Sequence, residues 1–250
     1  MIKIKTKEEI AGMRKAGKLA SKLLDFLTPY IKEGISTLEI NDLAESWTRD
    51  HGAVSAPLGY KGFPKSLCTS VNDTVCHGIP LATEVLKDGD IINVDVTVKL
   101  NGFHGDTSRM FLIGNVPEDA KLLVERTKKA MQIGIDVVKP GGYMNDIGIA
   151  IEKYLKKFGY GIVKDFGGHG IGKVFHEDPF VAHFDIGKKG DRMVPGMIFT
   201  VEPMINMGKR DLYTLDDDWT AKTDDGSLSA QWEHTILVTE KGAEVLTKSE

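Results

Sequence analysis

Cysteine is scarce in this sequence: two thiols, Cys68 and Cys76, in 250 residues. Two cannot build a disulfide framework in a chain this long, nor a thiolate-rich structural zinc site. They read as reduced thiols of a cytoplasmic protein. No run of about 18 apolar residues occurs, so no membrane span is expected. The N-terminus, Met1-Ile2-Lys3-Ile4-Lys5, has neither the apolar core nor the cleavage site of a secretory signal. A dominant charge is also missing, since 32 basic residues face 36 acidic ones for a net −4. That balance gives no argument for nucleic acid or an anionic membrane as the main partner. What remains is ordinary globular composition, 41% hydrophobic, with enough apolar material for a real core.

The apolar residues Ile10, Met13, Ala16, Ala20, Leu23, Leu24 and Leu27 recur at helical spacing and predict a first helix over 7–30. Arg14, Lys18 and Lys22 recur every fourth residue on another face, a row that reads as solvated surface. Thr37 is expected to cap a second helix reaching 51. Another helix pair is expected at 117–139 and 143–158. The two pairs hint at a repeat. Shifting the chain by 107 positions sets Lys32 on Lys139, Gly34 on Gly141, Ile40 on Ile147, Glu45 on Glu152 and Gly52 on Gly159. Further on, Gly89 meets Gly196, Ile91 meets Ile198, Val94 meets Val201 and Asp95 meets Glu202. One unchanged offset over this length favours a duplicated helix-pair-plus-sheet unit. The expectation is one domain, 1–250, of two pseudo-symmetric halves at roughly 1–115 and 116–250.

Chemistry is most legible between Ile91 and Ile113. Ile92, Val94, Val96, Val98 and Leu100 alternate with polar residues, which is a strand with one buried face. Asn101-Gly102 is a two-residue hairpin turn, so Leu100 should face Phe103 and Thr97 should face Asp106. Parity then puts Asp95 and Asp106 on one face as diagonal neighbours. Two carboxylates so placed repel unless something cationic lies between them, and only Lys99 is at hand. Gly167-Gly168-His169-Gly170-Ile171-Gly172 sets a histidine where backbone can approach a bound group closely. The glycine spacing is wrong for a dinucleotide site. His176 follows shortly after. The alternation over 197–205 predicts a strand interrupted at Glu202-Pro203, and 231–238 predicts another that carries Glu233 and His234. Four carboxylates and one imidazole suit a pair of divalent transition ions sharing a water better than a structural zinc.

At these residues the sequence resembles the methionine aminopeptidases of type I, the compact bacterial type. The carrying segments are Ser70-Val71-Asn72-Asp73-Thr74-Val75-Cys76-His77-Gly78, Asn93-Val94-Asp95-Val96-Thr97 and His104-Gly105-Asp106-Thr107. Gly168-His169-Gly170-Ile171-Gly172, Glu202-Pro203-Met204 and Glu233-His234-Thr235 complete them. The resemblance implies an α+β "pita-bread" fold: two αβ halves, with a curved, mainly antiparallel sheet covered by helices. It implies two divalent ions (Co, Mn, Fe or Zn) on Asp95, Asp106, His169, Glu202 and Glu233, with Asp106 and Glu233 shared and Glu202 also shuttling protons. His77 and His176 would contact substrate and stabilise the tetrahedral intermediate. Tyr60, Phe63, Cys68, His77, Phe175, His176 and Trp219 would form the substrate pocket. Pro57 and Phe63 depart from residues common in relatives, Cys and Tyr, but both stay apolar. A monovalent cation near Asn72 and Ser229 is also implied.

The implied activity is removal of the initiator methionine from nascent chains whose second residue is small, by a cytoplasmic monomer. The alternatives are a proline-specific aminopeptidase of the same fold, expected to need a separate N-terminal domain, and a non-catalytic relative, expected to have lost ligands. Contact with the ribosome would need a basic surface. The stretch 209–226 holds three basic against six acidic residues, the wrong sign. The row Arg14, Lys18 and Lys22 has the right sign, and docking through it should be weak. The small-second-residue rule applies to the chain itself. Ile2 is bulky, so the protein should keep Met1. Intact-mass measurement should find Met1 on the native protein, and a mass beginning at Ile2 would contradict the rule.

Overall fold

The structure, a computed structural model, describes residues 2–249; Met1, whose retention is expected above, lies outside the described residues. Among the described residues four α-helices form: α1 (Lys7–Leu27), α2 (Thr37–Asp50), α3 (Glu118–Asp136) and α4 (Met144–Leu155). A capping box starts α1, with Thr6 and Glu9 satisfying each other's backbone N–H groups. The helix stops at Leu27 rather than 30, because Pro29 has no N–H to continue the ladder. Ser36, not Thr37, caps α2, through a second box with Glu39. The Thr37 hydroxyl turns instead to the backbone of Leu81. The second pair is also shorter than its sequence spacing predicts, and residues 156–158 form a 3-10 turn that ends at left-handed Gly159.

Among the described residues fifteen strands run in chain order. The first half holds β1 (Val54–Ser55), β2 (Cys68–Val71), β3 (Thr74–Cys76), β4 (Ile91–Leu100) and β5 (Phe103–Leu112). The second holds β6 (Gly161–Ile162), β7 (Gly168–Gly170), β8 (Glu177–Val181), β9 (Ile198–Val201) and β10 (Met204–Asn206). It continues with β11 (Leu212–Thr214), β12 (Ala221–Thr223), β13 (Ser229–Gln231), β14 (Glu233–Thr239) and β15 (Gly242–Val245). A nine-stranded sheet takes the order β1-β4-β5-β14-β9-β7-β8, with β2 added to β4 and β15 to β14. Two three-stranded sheets, β13-β10-β6 and β11-β12-β3, flank it. The strand pairs are antiparallel, giving an α+β fold.

The 107-residue repeat is visible in the hydrogen-bond registers. Val54 pairs with Lys99 and Ser55 with Val98; 107 positions later Gly161 pairs with Asn206 and Ile162 with Ile205. The isolated bridge Ser36–Val85 recurs as Tyr143–Arg192. Gly34 and Gly141 share a left-handed φ, 89° and 85°, and Gly89 and Gly196 do too, 94° and 90°. The helices cover one face of the large sheet. Ile92, Val94, Val96 and Val98 pack with Leu23, Leu24 and Ile40 of the first helix pair. Phe199, Val201 and Ile236 pack with Leu123, Ile147 and Ile151 of the second. The alternate side chains face away from the helices.

At one point α1 meets the sheet with backbone against backbone. A Cβ added at Gly105 would lie 2.3 Å from Ala16 O. Replacing Gly105 with Ala therefore forces the helix off the strand. It should cost about 1–3 kcal/mol, read as a lower urea midpoint with an unchanged slope. An unaltered midpoint would mean that the helix–sheet contact is loose.

Candidate active site

The hairpin β4–β5 forms in the register its turn dictates. Leu100 pairs with Phe103 and Thr97 with Asp106, and the Thr97 hydroxyl donates to Asp106 Oδ1 at 2.7 Å. Asp95 is opposite Ser108, and Ser108 is opposite Glu233 of β14. On the far side of β14, His234 faces Val201, so Glu233 lies beside Glu202 just where β9 ends. His169 is supplied by β7, its N–H donating to Thr200 Oγ1 at 2.9 Å. That strand is squeezed between its neighbours. A Cβ on Gly168 would lie 2.2 Å from Thr200 O, and one on Gly170 2.0 Å from Asp178 O, so only glycine fits on either side of His169.

Two strands differ from their sequence reading. The segment 197–205 divides into β9, in the large sheet, and β10, in a small one. Pro203 has no N–H for the ladder, and the chain changes sheets there. The segment 231–238 divides likewise at Trp232, which leaves Gln231 in β13 and Glu233 in β14. His234 points away from the site, with Nδ1 2.9 Å from Thr247 Oγ1.

All five acid and imidazole groups line one cavity of about 360 Å³. Ligand atoms of Asp106, His169 and Glu233 lie within 4.8 Å of one another. His169 Nε2 is 3.5 Å from Asp106 Oδ2 and 3.8 Å from Glu202 Oε1. Glu202 Oε1 accepts from the Thr200 hydroxyl at 2.5 Å, and Oε2 from Gln231 Nε2 at 3.2 Å. Burial raises the Asp95 and Glu233 carboxyls well above their ordinary range, and neighbouring carboxylates add to it. Glu202 is pushed up to about 7, again chiefly by burial. For His169, burial works against the proton but the Asp106 hydrogen bond and the Glu202 charge outweigh it, so its pKa rises. Lys99 does not relieve the repulsion, because its side chain stands out in solvent. Asp95 Oδ1 is buried without a hydrogen-bond partner. A cluster of oxygen donors that repel one another, with an orphaned carboxylate oxygen aimed among them, fits divalent cations.

The aromatic residues proposed from sequence converge on the same cavity. Tyr60, Phe63, Cys68, His77, Phe175, His176 and Trp219 all line it. Trp219 stands edge-on to Phe63 at 5.2 Å and to His77 at 6.2 Å. The Tyr60 hydroxyl lies 3.0 Å from His176 Nδ1, and the His176 ring lies 4.1 Å from that of His169. Burial lowers His77 to about 4 and His176 to about 3, so both are neutral near pH 7. His77 has φ 57°, a left-handed conformation unusual outside glycine and frequent at functional sites. Phe166, Phe180 and Met204 also line the cavity and carry no sequence signal of their own. Thr200 and Gln231 were readable in principle, each standing two residues before a proposed ligand in the sequence. Asn72 and Ser229 are neighbours, the Ser229 N–H donating to Asn72 O at 2.8 Å.

Five such side chains, four from separate strands of one sheet and Glu202 from the end of a fifth, suggest a metallohydrolase, and the model of metallopeptidase family M24 matches residues 11–240. The chain belongs to metallopeptidase family M24. It is 54% identical over 249 residues to methionine aminopeptidase A of Synechocystis, covering 100% of this chain and 98% of that one. The crystal structure of methionine aminopeptidase from Rickettsia prowazekii superposes with a TM-score of 0.97 at 50% identity, covering 99% of this chain and 100% of that one. The prolidase of Pyrococcus horikoshii shares the fold, with a TM-score of 0.78 at 23% identity, covering 99% of this chain and 64% of that one. As an M24 metallopeptidase the chain is a metal-dependent hydrolase with a pita-bread fold.

The raised Glu202 carboxyl makes a linkage prediction. A carboxyl whose folded pKa lies above its unfolded value binds more protons when folded, so its contribution to stability falls as pH rises between the two values. In chelator-treated protein, the stability of wild type relative to Glu202→Gln should therefore decline from pH 4.5 to about 7. Thermal melts of both proteins across that range measure it, and a constant difference would show that Glu202 titrates normally.

Proposed function

We propose that this chain removes the initiator methionine from nascent polypeptides whose second residue is small. The observation that carries the reading is an apolar cavity whose floor is the carboxylate–histidine cluster. Phe63, Cys68, His77, Phe175 and Trp219 offer a long, flexible thioether a wall of aromatic and sulfur contacts. The identity of about half with named methionine aminopeptidases over the full chain supports the same substrate. We see the whole chain, 1–250, as one catalytic unit with its halves at roughly 1–115 and 116–250.

In this reading Asp95, Asp106, His169, Glu202 and Glu233 would hold two divalent ions, Co, Mn, Fe or Zn. Bound there, such ions would polarise the scissile carbonyl and acidify a water. The protein's own part begins with the pocket, which fixes the methionine side chain and so aims the peptide bond at the acidic floor. Glu202 takes the proton from the attacking water and delivers it to the leaving amine. Its hydrogen bonds from Thr200 and Gln231 hold the carboxylate in place while it does so. His176, with Nδ1 engaged by Tyr60, would turn Nε2 toward the substrate carbonyl, and His77 lines the same cavity. Both are neutral, so each can donate one hydrogen bond without adding charge to an already crowded site.

The working setting would be the cytoplasm, as a monomer; none of the described helices is long and apolar enough to cross a membrane. A monovalent cation beside Asn72 and Ser229 would brace the turn between β2 and β3. Ribosome docking through the first helix is weakened as an idea by Arg14, which is committed to a two-pronged pair with Glu244 at 2.7 and 2.8 Å.

The direct test is hydrolysis of Met-Ala-Ser. Chelation should abolish turnover, and Mn, Fe or Co should restore it. Glu202→Gln should keep the fold and lower kcat by about 100-fold or more with a modest change in KM. Met-Lys and Met-Ile peptides should resist cleavage. Full activity of the metal-stripped enzyme, or a kcat loss below about tenfold in the Gln variant, would overturn the assignment.

A further inference from the structure

Asp95 and Glu202 are equivalent in the repeat, 107 positions apart, yet their backbones are held differently. Asp95 sits inside a ten-residue strand and is paired on both sides, with Cys68 of β2 and Ser108 of β5. Glu202 lies one residue beyond the end of β9. The position after Asp95 is Val96, which continues the strand; the position after Glu202 is Pro203, which cannot donate to a ladder. The Glu202 N–H is therefore the last donor before the chain leaves the large sheet. It points into protein, since Glu202 is only 8% exposed, and a buried N–H needs a partner.

That partner is an imidazole. The Glu202 N–H donates to Nε2 of His183 at 3.0 Å. His183 follows β8 by two residues and is 1% exposed. It does not line the catalytic cavity. An Nε2 that accepts carries no proton, so the neutral ring must hold its proton on Nδ1. We infer that His183 is a positioning residue for Glu202: it replaces the missing ladder contact and, as the Nδ1–H tautomer, fixes the backbone from which the Glu202 carboxylate reaches the reacting groups. This rests on the reading of Glu202 as the proton carrier.

Geometry explains why a histidine serves here. Glu202 Oε1 is already tied by the Thr200 hydroxyl of β9 and Oε2 by Gln231 of β13. Fixing the main chain as well leaves the carboxylate no way to swing. A lost backbone anchor would let it drift while pocket and fold survive, and a displacement of about 1 Å can cost about 100-fold in rate.

The test compares His183→Leu, which removes the acceptor, with His183→Gln, whose side-chain oxygen can accept the same N–H. In the wild type, imidazole 15N shifts should show His183 protonated at Nδ1 and bare at Nε2. The Leu variant should lose about tenfold or more in kcat on Met-Ala-Ser with KM within about twofold, the pattern of an interaction that matters in the transition state. Its Glu202 amide should exchange faster with solvent. The Gln variant should recover most of kcat. A Leu variant with wild-type kcat, a Gln variant as slow as Leu, or a wild-type ring protonated at Nε2 would each overturn the inference. If the Leu variant does not fold, the tautomer and the Gln variant still decide. If the wild type fails to cut Met-Ala-Ser, the functional reading falls, while the tautomer and amide exchange still judge the positioning role.

Discussion

Repulsion among buried carboxylates is the constraint around which this molecule is arranged. Asp95, Asp106, Glu202 and Glu233 share one cavity with the imidazole of His169, and the lysine on its lining, Lys61, is solvent-exposed beside Tyr60. Left to itself such a cluster would take up protons or spread apart. The sheet prevents the second. Asp95 and Glu233 are held in hydrogen-bonded strands on either side of Ser108, Asp106 sits in β5 opposite Thr97, and Glu202 follows directly on the end of β9, so the backbone leaves the carboxylates little room to separate. The raised pKa values of Asp95, Glu202 and Glu233 record the first. Divalent cations relieve the same stress, which is why a fold this rigid and a metal-dependent chemistry belong together.

Several features around the cluster follow from holding it in place. The strand bearing His169 lies so close to its neighbours that Gly168 and Gly170 admit no side chain. Thr97, Thr200 and Gln231 are each uncharged donors to a carboxylate oxygen, so they steady the acids without competing as cations. Helices confine themselves to the opposite face, where Val94, Val96, Phe199 and Val201 form the core. Alternation along a strand therefore separates stability from chemistry residue by residue.

Much of this was readable from the sequence, for identifiable reasons. The hairpin β4–β5 is local: alternation and an Asn-Gly turn determine its register, and hence the shared face of Asp95 and Asp106, without reference to the rest of the chain. The repeat was readable because glycines with left-handed φ, such as Gly34 and Gly141, tolerate little substitution. What escaped depended on distant partners. Ser36 rather than Thr37 caps α2 because Thr37 is drawn to Leu81, far along the chain. The division of 197–205 between two sheets needs the second sheet to be known. His183 has no distinguishing neighbours in sequence, and its meaning arises only from the Glu202 N–H that it meets in space.

The 107-residue repeat sets two carboxylates at matching positions, and the chemistry depends on breaking the match. Asp95 and Glu202 occupy the same position of the repeat, but one continues a strand through Val96 and the other turns out of it at Pro203. The first is immobilised by ladders on both sides and suits a fixed ligand. The second gains a longer side chain, a threonine and a glutamine on its two oxygens, and an imidazole behind its backbone. A proton carrier needs more reach than a fixed ligand and must still return to one place each cycle. The longer glutamate side chain meets the first need, and the contacts gathered around Glu202 meet the second.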